Sequence, residues 1–179
     1  MVRMTADERR QAIIEAATIE FGAGGLDGTN VDSIARRVGV TQPYVFRLFG
    51  TKKALFLACV EVCFAETQDA FESAAAGLSG EEALRAMGRA YSELIKDRSR
   101  LKLQLQSYAA CDDADVRRLV RKRYGELVEF VERVAGRDTT LVSAFFATGM
   151  MLNVLAAADL LGASDGWAAR MLHGFGIER

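Results

Sequence analysis

Proline is nearly absent from this chain: Pro43 is the only one in 179 residues. Clusters of β-branched residues are also few, while Ala, Leu, Arg and Glu recur in long runs. That composition excludes a β-rich fold and predicts an all-α protein. The three cysteines, Cys59, Cys63 and Cys111, are too few and too oddly numbered for a disulfide framework, so a reducing cytoplasm is the expected setting. His173 is the sole histidine and has no ligand set near it, which argues against zinc. Neither a phosphate-cradling loop with its lysine nor a Ser-His or Cys-His constellation is present. No cofactor, metal or catalytic residue is therefore expected. A basic-then-apolar signal peptide is missing too, since Ala6 to Gln11 is already strongly charged.

Charge of one sign is equally scarce, with a net of −1. Its distribution says more than its sum, because residues 1–53 hold eight Lys/Arg against six Asp/Glu. The one long apolar run, Leu141 to Leu161, could span a bilayer by length, but Asn153 and Asp159 interrupt it and no basic cluster flanks it. A buried helix is expected there, not a membrane partner.

What is present is helical punctuation. Ile13, Ile14, Ala17 and Phe21 mark a first helix from about Thr5 to Phe21, with Arg9 and Arg10 near its start, and Gly22 to Gly25 is expected to end it. Thr29 is read as the cap of a second helix, with Asp32 completing a capping box. Val31, Ile34, Ala35 and Val38 form its buried stripe, and Gly39 makes the turn. Thr41 caps a third helix with Pro43 in its first turn. Val45, Leu48 and Phe49 share its inner face, and Gly50 stops it. Two short helices joined by a glycine-containing turn predict a helix-turn-helix.

Thr51 opens a much longer helix, about Lys52 to Ala75, whose inner stripe is Phe56, Val60, Cys63, Thr67 and Phe71. Further helices are expected over Glu81 to Asp97, Leu101 to Ala110, Asp115 to Val134, the apolar run, and from about Asp165. The whole reads as about nine helices, divided into a helix-turn-helix domain at 1–53 and a second domain at 54–179.

The outward face of the third helix carries Gln42, Pro43, Tyr44 and Arg47, where a solvated helix would show Glu and Lys pairs. Gln and Arg can pair with base edges, and Tyr offers a rigid surface for a thymine methyl or a sugar. Thr51, Lys52 and Lys53 put cations at a helix N-terminus, against the dipole. The arrangement makes sense if a DNA phosphate occupies that end. Thr29 is expected to provide a second clamp. Elsewhere, Cys59 and Cys63 read as small side chains on an apolar stripe, with a thiol sensor as the alternative. Arg117, Arg118, Arg121, Lys122 and Arg123 read as a solvated helix face.

Residues 5 to about 60 resemble the N-terminal domain of the TetR family of bacterial transcriptional repressors. The matching residues are Ala16, Ala17 and Phe21 before a glycine-rich turn, Thr-x-Val-x-x-Ile-Ala at Thr29 to Ala35, Gly-Val-Thr at Gly39 to Thr41, and Lys-x-x-Leu at Lys52 to Leu55. Gln42-Pro43 occurs at that position in some members. Where the family commonly has a tyrosine contacting phosphate, this chain has Phe46, so Tyr44 or Arg47 is expected to replace that contact. The resemblance implies a ligand-responsive repressor that binds a pseudo-palindromic double-stranded DNA operator. It further implies an effector pocket between the long helix and helices five to eight, for a small apolar or amphipathic ligand. Phe64, Tyr91, Tyr108, Tyr124, Phe146, Met150 and Asn153 are its candidate lining.

A homodimer is expected on two grounds. The apolar run has apolar residues on every face, so one face needs a partner. The family pairs its last two long helices into a four-helix interface, which here would use Gly149, Trp167, Met171 and Phe175. The competing expectation is a helical ligand-binding or scaffold protein without specific DNA binding.

Overall fold

The computed structural model describes residues 5–162 and 166–174, and every regular element among them is an α-helix. α1 is Ala6–Gly28, α2 Val31–Arg37, α3 Gln42–Phe49, α4 Lys52–Ala75 and α5 Gly80–Leu94. They are followed by α6 (Arg98–Ala109), α7 (Ala114–Ala135), α8 (Thr139–Ala157) and α9 (Gly166–Gly174). The expected all-α fold is present, and α4 begins and ends where its pattern placed it. The helices form two compact units, one within Met1–Glu66 and Lys102–Gly125, the other within Thr67–Leu101 and Glu126–Arg179. α4, α6 and α7 contribute residues to both.

In the first unit α1 starts with a capping box at Thr5 and Glu8. The Thr5 hydroxyl accepts from the Glu8 N–H, while the Glu8 carboxylate accepts from the Thr5 N–H. Ile13, Ile14, Ala17 and Phe21 are buried as expected, and Phe21 meets Phe56 of α4 edge-on at 5.0 Å. The glycine run does not end α1 where it begins. Gly22 stays buried within the helix, and the break falls at Gly25, which has φ +67° and ψ −174°. Two neighbours demand small residues here. A Cβ on Gly24 would lie 3.0 Å from the Thr29 hydroxyl, and one on Gly25 would lie 2.7 Å from Gln106 Oε1 of α6.

The capping role expected of Thr29 belongs instead to Asn30, whose side chain accepts from the Asp32 N–H at 2.9 Å. Thr29 is buried, and its hydroxyl lies 2.7 Å from the Gly25 carbonyl and 3.0 Å from that of Glu20. The hydroxyl is taken up by these carbonyls beside the break in α1, so the next polar residue caps α2. Val31, Ile34 and Ala35 bury α2's inner stripe, while Val38 is half-buried. Arg37 bonds Glu20 of α1 at 2.7 Å. Gly39 (φ +68°) turns the chain into α3, which is anchored by fully buried Val45.

Aspartates set three further helix starts. Asp97 accepts from the N–H groups of Ser99 and Arg100. α6 therefore begins at Arg98, earlier than expected, and α5 stops short at Leu94. Asp113 caps α7 in the same way through the Asp115 and Val116 N–H groups, and Asp138 caps α8 through those of Thr140 and Leu141. α8 covers only part of the apolar run and ends at Ala157, where the Arg98 guanidinium donates to the Ala156 and Ala157 carbonyls and pairs with Asp159. A cation at that helix end also suits the dipole.

Candidate nucleic-acid interface

α3 is short, and its two faces differ sharply. Val45 is buried and Leu48 and Phe49 are half-buried, so the predicted inner face holds. Thr41, Pro43 and Arg47 are exposed, and Gln42 and Tyr44 are half-exposed. Thr41 stands at the N-cap but makes no side-chain bond to the helix, leaving its hydroxyl to solvent or a ligand. The Arg47 guanidinium lies 4.7 Å from the Tyr44 ring centre, and Arg9 of α1 lies 5.8 Å from the same ring. Arg10 sits 4.9 Å from the ring of Phe49.

These cation–π contacts hold the guanidinium planes without neutralising them. Among the described residues no carboxylate pairs with Arg9, Arg10 or Arg47. Arg36 and Arg37, by contrast, are matched to Asp32 and Glu20. In the sequence, Arg9 and Arg10 are marked only as basic residues near the start of a helix. Separations of 35 residues (Arg9 to Tyr44) and 39 residues (Arg10 to Phe49) hid their approach to α3.

The foot of α4 is occupied by internal partners. Thr51 is exposed and its hydroxyl accepts from the Ala54 N–H at 3.0 Å. Lys52 Nζ donates to the carbonyls of Asp27 (3.0 Å) and Thr29 (3.2 Å). Lys53 Nζ sits 2.7 Å from Asp115 and 3.2 Å from Asp113. These bonds raise the lysine's pKa, Asp115 contributing most, while Asp115 in turn is lowered chiefly by Lys53. The hydroxyl of Thr29, expected as a second clamp beside them, is bonded inside the unit to the Gly25 and Glu20 carbonyls. Arg123, expected on a solvated face, is half-buried and pairs with Glu61 of α4.

The candidate effector residues divide between the units. Phe64, Tyr108 and Tyr124 belong to the first. Phe64 is buried there, Tyr108 accepts from Gln104 at 2.9 Å, and burial raises the Tyr124 phenol above its ordinary pKa. In the second unit the structure brings two together: the Tyr91 hydroxyl donates to Asn153 Oδ1 at 2.8 Å, both residues being buried. Phe71 packs edge-on against Tyr91 and Phe145, and Phe145 against Phe146. Met150 lies on the exposed side of α8.

Of the residues expected at a dimer interface, Gly149 faces Tyr91, since a Cβ there would be 3.9 Å from that ring. Trp167 and Met171 are exposed, and Phe175 lies outside the described residues. By length and composition α8 could cross a membrane. One of its faces is buried through Val142, Leu152, Asn153, Leu155 and Ala156, while Val154 is 50% exposed on another. Among the described residues no three His, Cys, Asp or Glu side chains converge to hold a metal.

Two short helices around a glycine turn, with a cationic face on the second, define a helix-turn-helix DNA-binding protein. Residues 13–59 match the bacterial regulatory proteins of the tetR family. A 59-residue stretch is 36% identical to the HTH-type transcriptional activator FasR of Mycolicibacterium smegmatis, covering 33% of this chain and 27% of that relative. The fold extends much further. A TetR-like transcriptional regulator from Rhodococcus sp. RHA1 superposes with a TM-score of 0.74 at 23% identity, covering 97% of this chain and 96% of its own. A transcriptional regulator from Saccharomonospora viridis, solved in complex with choline, gives 0.70 at 16% identity, covering 95% and 94%.

Proposed function

We propose that this chain is a cytoplasmic, homodimeric transcriptional repressor that reads a pseudo-palindromic operator and is released by a small apolar or amphipathic effector. The carrying observation is the exposed face of α3, where Arg47 and Tyr44 stand beside Arg9 and no carboxylate among the described residues neutralises the two guanidinium groups. In this reading Gln42, Tyr44 and Arg47 meet base edges. Thr41, Pro43, Thr51 and the N-terminus of α4 meet the backbone, and Arg9 adds a further phosphate contact. Tyr44 and Arg47 replace the contact that Phe46 cannot make.

The exposed apolar residues Met150 and Val154 of α8, with Trp167 and Met171 of α9, support a second copy as the covering partner. Two-fold pairing suits recognition helices about 34–36 Å apart, one turn of duplex. The functional division falls near residue 53, with 54–179 binding effector and partner. Tyr91 and Asn153, a buried polar pair among aromatic rings, are the best-supported lining of an effector site. Binding there would act through α4, which belongs to both units, and weakens operator affinity only so far as the ligand prefers the released state.

Selection of binding sites from a random duplex pool tests the reading. Wild type should enrich one two-fold sequence, and Arg47→Ala should cost about 1–3 kcal/mol of discrimination at the bases it reads. Enrichment of nothing by the folded wild type sinks the proposal. The named relative in M. smegmatis is an activator, so a reporter fused to the selected site decides the sign: repression predicts higher expression when the gene is deleted.

A further inference from the structure

Lys53 is the second residue of α4, where a cation opposes the helix dipole and needs an anion close by. In a DNA complex that anion would be a backbone phosphate. In the structure it is supplied from within the same compact unit, by two carboxylates 60 and 62 residues further along the chain. Asp115 Oδ2 lies 2.7 Å and Asp113 Oδ2 3.2 Å from the ammonium. Two anionic oxygens on one ammonium reproduce what the unesterified oxygens of a phosphate would offer.

The carboxylates do not depend on Lys53 for their placement. Asp113 Oδ1 is fixed by the N–H groups of Asp115 (2.9 Å) and Val116 (3.2 Å), the capping bonds of α7. Asp115 Oδ1 is held by Arg118 at 3.1 Å. The acids are therefore pre-oriented before the lysine arrives, and holding them entails little further loss of freedom. Lys52 differs, since its partners are neutral carbonyls. Lys53 and Arg118 against Asp113 and Asp115 make a neutral cluster, which presents less attraction to a polyanion than its two cations alone.

From this geometry we infer that Asp113 and Asp115 act as a built-in phosphate mimic, competing with DNA for Lys53 and restraining duplex binding. Lys53 cannot serve both, so each duplex contact it makes requires the latch to open. The inference rests on the DNA-binding reading above. It adds a self-restraint set by the α6–α7 turn, whose strength any event that moves the turn would alter.

The experiment is equilibrium binding of full-length protein to a labelled random-sequence duplex across a salt series, read by fluorescence anisotropy. Asparagine keeps the capping acceptor at position 113, so D113N/D115N retains the start of α7. It should bind about three- to tenfold tighter at low salt, the range that losing two exposed ion pairs allows. Its log–log salt slope should steepen by about one phosphate contact. Single D115N, which leaves the Asp113 cap untouched, should fall between. Adding K53Q should remove most of the gain. D112N, which changes the charge of the same turn without touching Lys53, should leave affinity within about twofold.

Unchanged or weaker binding by the folded D113N/D115N variant overturns the inference, because the pair would then be a simple staple. An equal gain from D112N, or one that survives K53Q, also overturns it, because the effect would be general charge. If wild type shows no salt-dependent duplex binding, the DNA reading fails and the latch with it. If wild type binds and the variant matches it, the latch alone fails.

Discussion

Replacing Gly25 with alanine asks the α1–α2 turn to tolerate what its backbone forbids. With φ +67° and ψ −174°, Gly25 occupies a region that is essentially glycine-only, where an L side chain costs about 1–3 kcal/mol. The added Cβ would also lie 2.7 Å from Gln106 Oε1. That side chain can swing away, and leaving its rotamer costs about 0.5–1.5 kcal/mol. The combined loss is roughly 2–4 kcal/mol. Two compact units make global denaturation a blunt reporter, so the assay is amide hydrogen exchange over residues 20–35. Exchange there should accelerate about 30- to 1,000-fold where it proceeds by local opening. Adding Q106A should recover no more than about tenfold of this, because it relieves the contact but not the dihedral. Wild-type exchange in the variant, or full rescue by Q106A, would refute the backbone argument. Lys52 donates to carbonyls on this turn, so duplex affinity should fall for all sequences alike.

Three further outcomes are expected. Tyr91→Phe removes the donor to buried Asn153 and should destabilise the protein by about 1–3 kcal/mol, whereas adding Asn153→Leu should cost less than the two single effects together; thermal melts that leave Y91F at the wild-type midpoint would contradict this. Burial pushes the Cys59 thiol up to about 12, so iodoacetamide at pH 8 should label half-buried Cys111 well before Cys59, as peptide mass spectrometry would show. Early labelling of Cys59 in folded protein would count against that burial. Val154→Asp places a charge on the exposed face of α8 and should shift the protein toward a folded monomer in sedimentation velocity. An unaffected dimer would move the interface elsewhere.

The sequence by itself determined what local periodicity and turn chemistry can encode. Apolar spacing chose the inner faces of α1, α2 and α3, Gly39 marked the turn between α2 and α3, and Thr51 with the following stripe bounded α4. The outward Gln42, Tyr44 and Arg47 were legible because a helix repeat separates the faces of a helix within a few residues. What no repeat encodes is which distant group a side chain meets. Thr29 and Asn30 are adjacent polar residues, either of which could have capped α2. Only the folded course of α1, which brings two of its carbonyls beside Thr29, turned one inward and left the other as the cap.

The same limit hid Arg9 beside Tyr44, Tyr91 on Asn153, and Arg123 on Glu61. It bears most on the foot of α4. Two cations at a helix N-terminus announce from sequence that an anion is needed there, because the dipole requires it. Tertiary packing alone brought Asp113 and Asp115 to one of them, since electrostatic pairing depends on distance through space and not on separation along the chain.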